Sequence, residues 1–176
     1  MTRQGRDYWG KAMKLTKLFA ITAFAVLLAG CFTAEQPLLT DANSVAPYEK
    51  ISFREKDSSD GDTLTRQGNA YLTVGEDVTL TMRFMPLDRP DWYVVEVTGE
   101  QDGEVSRLYA LVKVDLAANT AETYKAVAGD NDAGPGLRRC EDNMVCIDDL
   151  AAYIAHALAA IDAGAKPDAA YEITLE

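Results

Sequence analysis

Alternating apolar and polar residues predict β-structure for most of residues 48–124. The clearest case is residues 78–84, in which every second side chain is apolar. A period of two places those side chains on one face of a half-buried strand. A second apolar run, residues 70–74, precedes it, and residues 75–77 suit a tight turn between the two. The apolar side chains of the later strand are Val78, Leu80, Met82 and Phe84.

Residues 92–114 predict a β-hairpin, with Asp102-Gly103 as the central residues of a type I′ turn. That turn places Gln101 opposite Glu104 and so sets the register of every pair further along the two strands. One face is then almost wholly apolar, and we expect it to be core, packed with the 78–84 face or with a helix. Its pairs are Tyr93/Val112, Val95/Ala110 and Val97/Leu108.

The opposite face of the hairpin mixes apolar, aromatic and charged side chains. Its pairs are Trp92/Lys113, Val94/Leu111 and Glu96/Tyr109. One interpretation is that a C-terminal helix or another strand covers this face. The other is a partner surface, because Trp and Tyr are enriched at interfaces. We expect Trp92 and Tyr109 on this face to be partly exposed. The candidate partner-surface residues are Trp92, Val94, Tyr109 and Leu111.

A helix is predicted after the glycine-rich stretch 127–139, from an N-cap at Asp148 to about Ala163, with Gly164 and Pro167 ending it. At 100° per residue, His156 lies opposite the apolar stripe of this helix and should face solvent. A final strand follows, with Tyr171, Ile173 and Leu175 alternating. The stripe is formed by Leu150, Ile154, Leu158 and Ile161. The predicted fold is α+β: a meander-like antiparallel sheet of about six to eight strands with one main C-terminal helix.

The N-terminus carries a different pattern. Lys14 and Lys17 precede a twelve-residue apolar run, residues 18–29, broken only by Thr22. As a helix this run would cover about 18 Å, which is short of a hydrocarbon core of roughly 30 Å. It therefore predicts the apolar core of an export signal rather than a membrane span. Met13 offers an alternative start that gives a more compact signal.

The residues Leu28-Ala29-Gly30-Cys31 that follow resemble the lipobox of bacterial lipoproteins. This resemblance covers residues 13–31 and implies cleavage between Gly30 and Cys31, with acyl chains on the Cys31 thiol and on its new amine. In that class, Asp after the cysteine favours the inner membrane. Phe32 stands there, so we expect an outer-membrane location facing the periplasm rather than the inner membrane.

The chain is therefore divided into a signal (residues 1–30), a lipidated cysteine with a flexible tether (31–47) and a single domain (48–176). A tether of this length would reach about 20–24 Å from its anchor. Pro37-Leu38-Leu39 could alternatively dock on the domain.

Charge and cysteine content restrict the possible functions. The formal charge of −11 is split between +4 in residues 1–30 and −15 in the remainder, which disfavours nucleic-acid binding. Cys140 and Cys146 form an even pair in an exported domain, and we predict a disulfide rather than a redox site.

The sequence suggests neither cofactor nor catalytic motif. The acidic stretches 57–62 and 130–132 both fail as EF-hand loops at the first ligand position, and weak millimolar calcium binding is the alternative left open. The function we predict is a lipid-anchored cell-envelope protein that binds or scaffolds another envelope component. The alternative is a carboxylate-type hydrolase acting on cell-wall polymer.

Overall fold

The computed structural model describes residues 32–56, 58–74, 78–124, 134–140 and 144–176. The chain divides into two units between Gly30 and Cys31, and all described residues belong to the second. Several predicted features lie outside the described residues, among them the export signal with its cleavage site at Gly30, the lipid attachment at Cys31, the turn at 75–77 and the acidic stretch 130–132.

Eight antiparallel strands close into a barrel. Around the barrel they follow chain order, except that the last strand, β10, lies between β7 and β1. The predicted antiparallel α+β arrangement is confirmed; closure into a barrel is a more specific result. The barrel strands are β1 (Lys50–Glu55), β2 (Gly61–Gln67), β3 (Ala70–Val74), β4 (Thr79–Pro86), β5 (Trp92–Gln101), β6 (Glu104–Asp115), β7 (Thr120–Tyr124) and β10 (Ala169–Leu175).

Between β7 and β10 the chain leaves the barrel. It forms a two-stranded sheet, β8 (Leu137–Arg139) with β9 (Val145–Ile147), and the helix α1 (Leu150–Asp162). No described helix is long and apolar enough to cross a bilayer.

The β5–β6 hairpin has the predicted register. Gln101 pairs with Glu104, and the pairing continues to Trp92 and Lys113. Asp102 and Gly103 have φ values of 53° and 83°, so both central residues are left-handed as a type I′ turn requires.

The predicted core face of this hairpin points into the barrel. Val95 pairs with Phe84 on β4 and with Ala110 on β6, and directly opposite residues share a face. The inward faces of β4, β5 and β6 are therefore continuous, as predicted. Edge-to-face ring contacts join β3, β4 and β5 near one end, with centroids 5.7 Å apart for Tyr71–Phe84 and 6.2 Å for Phe84–Tyr93.

Helix α1 begins one residue later than predicted. Its N-cap is Asp149, not Asp148, because the Asp149 carboxylate accepts a hydrogen bond from the Ala152 amide at 3.1 Å. Gly136 (φ 75°) packs against this helix start, where a Cβ would lie 2.3 Å from the Tyr153 amide nitrogen. Only glycine allows that approach. The helix ends as predicted, before Gly164 (φ 98°).

The buried face of α1 is centred on Tyr153 and Ala157, which are 0% and 1% exposed. The four residues of the predicted stripe, Leu150, Ile154, Leu158 and Ile161, are partly buried beside them. His156 was expected to face solvent, and this is wrong. Its ring is half-buried, and its Nε2 atom would lie 3.1 Å from a Cβ at Gly134.

A second apolar core lies outside the barrel wall, and we call it the outer layer. The outward side chains of β5 and β6 pack there against α1, the β8–β9 sheet and the chain before β1. Its buried members are Phe32, Ala34, Leu39, Trp92, Val94, Tyr109, Leu111, Tyr124, Leu137, Ile147, Tyr153 and Ala157.

Candidate functional site

The four candidate partner-surface residues lie in the outer layer. Trp92, Val94, Tyr109 and Leu111 are 5%, 0%, 1% and 0% exposed. The expectation of partial exposure is wrong, and these side chains do not form an accessible surface. The other interpretation, cover by the C-terminal helix, is confirmed. In a closed barrel the inward face of the hairpin points into the lumen, so the helix can pack only on the outward face.

Residues 32–45, which we call the strap, cover the rest of this face. The Phe32 carbonyl accepts a hydrogen bond from the Tyr109 amide at 2.8 Å, where β6 extends beyond the end of β7. On its other side, Thr33 exchanges hydrogen bonds with the amide of Ile147 and the carbonyl of Val145. The strap thereby joins the barrel to the β8–β9 sheet.

The expectation of a flexible tether is therefore wrong for this segment. Phe32 is 3% exposed, with its ring centroid 5.2 Å from that of Tyr153. Leu39 and Ser44 are also buried, and the Val45 amide donates to the Phe84 carbonyl at 2.8 Å. The alternative, docking of Pro37-Leu38-Leu39 on the domain, matches the structure. Burial of the Phe32 and Leu39 side chains stabilises the docked strap. This gain exceeds the conformational entropy that the segment loses when it is ordered.

Glu96 fixes the middle of the strap. Its carboxylate is 2% exposed, and its Oε2 atom accepts hydrogen bonds from the amides of Leu38 and Leu39, both at 3.1 Å. The Tyr109 hydroxyl donates to the same oxygen at 2.5 Å, and the Thr98 hydroxyl donates to Oε1 at 3.3 Å. A buried carboxylate requires such donors, because burial without them would be strongly unfavourable.

Tyr109 is held in its neutral form by this arrangement. Burial raises the pKa of the Tyr109 phenol, and the hydrogen bond to Glu96 raises it further. The hydroxyl can therefore act as a donor to Glu96 at any pH near neutrality. The pair holds the strap in place; it does not offer an accessible acid or base.

Arginine side chains add polar contacts along the strap. Arg83 bonds to Asp41 at 3.1 Å, and Arg107 donates to the Glu35 carbonyl at 3.4 Å. Arg138 bonds to the Glu35 carboxylate at 2.5 Å. These pairs are solvent-exposed on at least one side, so each adds little stability by itself.

The predicted disulfide is present. Cys140 and Cys146 are joined with sulfur atoms 2.08 Å apart and Cα atoms 5.9 Å apart. Cys146 is buried and lies beside Thr33 of the strap, so the disulfide supports the sheet against which the strap packs.

The carboxylate-type hydrolase stays a prediction. Among the described residues, Glu96 is the one buried acidic side chain, and its oxygens are occupied by the donors above. The part of the chain that the structure describes also contains no group of three or more His, Cys, Asp or Glu side chains placed to hold a metal ion.

The barrel lumen is the remaining candidate site. In mid-hairpin, inward-facing Val95, Val97, Ala110 and Val112 keep 5–8% of their surface, whereas outward Val94 and Leu111 keep none. Inward-facing Leu64 and Tyr71 keep at most 1%, so the exposures of the lumen and of the outer layer overlap. Further inward-facing side chains are half-buried. They are Phe53, Leu80, Met82, Phe84, Tyr93 and Leu108.

Comparison of the chain with protein-family models, with curated proteins and with solved structures found no match. The site must therefore be interpreted from its own geometry.

Sequence reasoning missed the role of Glu96 and gave docking of residues 37–39 only as an alternative to a flexible tether. The signal for Glu96 was present: it is a lone acid in the apolar stretch 92–97 (WYVVEV). An acid at such a position needs buried donors, and the unpaired amides of a neighbouring segment can supply them.

Proposed function

We propose that this chain is a lipid-anchored binding protein of the bacterial cell envelope, attached through acyl chains on Cys31 and facing the periplasm from the outer membrane. The observation that carries the proposal is the division of the chain into two units between Gly30 and Cys31. Phe32, the residue directly after the lipobox cysteine, is buried and bonded to the barrel wall. The predicted cleavage site thus coincides with the boundary between the two units.

Attachment at Cys31 is physically consistent with this geometry. Consecutive Cα atoms are about 3.8 Å apart, so acyl chains on Cys31 would begin next to the folded domain. Several chains, each contributing about 0.8 kcal/mol per buried methylene, give stable membrane binding.

Labelling with palmitate tests the anchor. Cys31→Ser should abolish incorporation of the label and release the protein from washed membranes. Cys140→Ser is the matched control: it replaces another cysteine, leaves the lipobox intact and should be labelled like the original protein. Equal labelling of Cys31→Ser and the original protein would refute lipidation at this residue.

The membrane of residence is tested separately. After separation of the envelope by density, the labelled protein should be found with the outer membrane. A predominantly inner-membrane location would contradict the expectation based on Phe32. This assay requires no substitution at Phe32. Because Phe32 is buried, a substitution there would change folding as well as membrane sorting.

The binding part of the proposal cannot use the Trp92–Tyr109 face, because the chain itself covers it.

A further inference from the structure

We propose that the surface around the start of β9, with Met144 at its centre, rests on phospholipid headgroups, so that the barrel lies on its side along the membrane. This inference rests on the proposed lipidation of Cys31 and names the face that the anchored domain turns to the bilayer. It is carried by the place where the strap begins, by the length of β6 on either side of that place, and by the side chains exposed there.

The strap begins between two sheets. Phe32 pairs with Tyr109 of β6, and Thr33 pairs in parallel register with Cys146 of β9. In a parallel pair the preceding residues are level with each other, so Phe32 lies level with Val145. Met144 directly precedes Val145 in the chain. An acyl chain that begins one residue before Phe32, about 3.8 Å away, therefore begins close to Met144.

This starting point lies near the middle of the barrel wall rather than at either end. From Tyr109, β6 continues six residues to Asp115 and five residues back to Glu104. At about 3.4 Å per residue these spans are about 20 Å and 17 Å, and a strand tilt of about 35–45° shortens them to roughly 12–17 Å along the barrel axis. A barrel standing on either end would hold the anchored residue that far from the headgroups. A barrel lying on its side brings the anchored residue to them.

The side chains exposed beside the strap suit an interface between water and lipid. Met144 is 51% exposed, although Val145, which follows it, packs against the outer layer. Arg139, opposite Val145 on β8, is exposed as well. A thioether side chain gains free energy on leaving water, and an arginine can lay its methylenes on lipid while its guanidinium stays among the headgroups.

Charge limits how deeply this surface enters the bilayer. Glu141 and Asp142 stand in the same disulfide loop as Met144. Transfer of carboxylates into hydrocarbon is strongly unfavourable, so Met144 reaches the headgroup boundary and goes no deeper. The two acids also offset the positive charge of Arg138 and Arg139, so attraction to anionic lipid does not hold the contact. We therefore expect the contact on zwitterionic phosphatidylcholine, in low and in high salt alike.

Methyl NMR of the acylated protein in phosphatidylcholine nanodiscs tests the proposal. Residues 31–176 contain three methionines: Met82 inside the barrel, Met85 packed against the outer layer, and Met144. A nitroxide on the lipid close to the headgroup should broaden the Met144 methyl signal at least threefold more than the Met82 signal. A nitroxide at the far end of the acyl chain should broaden the Met144 signal less. Met144→Leu assigns the signal, because the peak that disappears is its own.

Val74→Met supplies the matched control. Val74 is 70% exposed and lies on β3, three strands around the barrel from β6. A methionine there is at least as accessible to water as Met144 but lies away from the strap. The same headgroup nitroxide should therefore broaden its methyl signal at most a third as much as that of Met144.

Equal broadening of the Met144 signal and the Val74→Met signal, in protein that is acylated and stays with the nanodiscs, would overturn the orientation and leave the anchor intact. Loss of the difference in high salt would overturn the apolar contact. Protein that mass spectrometry shows to lack acyl chains on Cys31 would overturn the proposed function and this inference together.

Discussion

On the β5–β6 hairpin, the more apolar face is not the more deeply buried one. The inward face is almost wholly apolar, yet its side chains keep part of their exposed surface. The outward face carries a buried acid and a tyrosine hydroxyl, yet Val94 and Leu111 on it are fully buried. The helix and the strap close over the outward face, whereas the inward face meets other strands across a lumen. Depth of burial is therefore set by what covers a face, not by its apolar content.

The largest expected effect comes from truncating matched leucines on the two faces. Leu111→Ala should lower the free energy of unfolding by about 3–5 kcal/mol, because it leaves a cavity in a close-packed layer. Leu108→Ala should cost about 2 kcal/mol or less, because water already reaches its surroundings. Urea unfolding of the two variants measures the difference. Equal losses would mean that the lumen is packed as densely as the outer layer.

Removing the charge that holds the strap should have the next largest effect. Glu96→Gln weakens hydrogen bonds to Leu38, Leu39 and Tyr109, and we expect a loss of about 2–3 kcal/mol. Amide hydrogen exchange at Leu38 and Leu39 should accelerate together. Glu100→Gln, at an exposed position of the same strand, is the control and should leave both amides protected. Unchanged exchange in Glu96→Gln would show that apolar contacts alone hold the strap.

Reduction of the Cys140–Cys146 disulfide should cost about 2 kcal/mol, near the low end for such bonds because the closed loop is short. Since Cys146 lies beside Thr33, the reduced protein should also lose protection at the Thr33 amide. Thermal melts with and without reductant, together with hydrogen exchange, measure both effects. The methyl signals of Val95 and Val97, inside the barrel, should stay in place.

At pH values just above 10, alkali should give the smallest effect. Burial raises the pKa of Tyr109 above its ordinary value of 10.0 and that of Tyr124 to about 12. In the unfolded chain these phenols ionise near pH 10, whereas in the folded protein they stay protonated. The unfolded state therefore releases protons first, and stability should fall as the pH rises from about 10 to 12. Urea unfolding across this range measures the slope, and a slope undiminished in Tyr109→Phe would contradict the assignment to Tyr109.

The hairpin could be predicted from sequence because the Asp102-Gly103 turn is local and the alternation on either side of it has a single period. Helix α1 was predicted almost to the residue for the same reason: its cap and its terminating glycine are local signals. The barrel, in contrast, depends on pairing between β1 and β10, which are more than a hundred residues apart in the chain. No local sequence pattern predicts that pairing.

The outer layer was missed because its parts look unrelated in the sequence. Residues 32–45 resemble a linker in composition, and their burial depends on Glu96, which lies far along the chain. Trp92 and Tyr109 were expected to be partly exposed because nothing near them in sequence indicates the strap. The predicted cover by the C-terminal helix succeeded because the helix had an apolar face that required a partner.

The strap also limits the volume that the barrel could reach if the chain were anchored at Cys31. A free linker would let the domain explore a hemisphere of solution about 20–24 Å in radius around its anchor. If Cys31 is lipidated as proposed, the bond between Phe32 and β6 removes that volume, and the barrel would diffuse laterally with the bilayer. It would meet other molecules by lateral diffusion, within about one domain's thickness of the membrane surface. A component farther away would have to come to the membrane to be met.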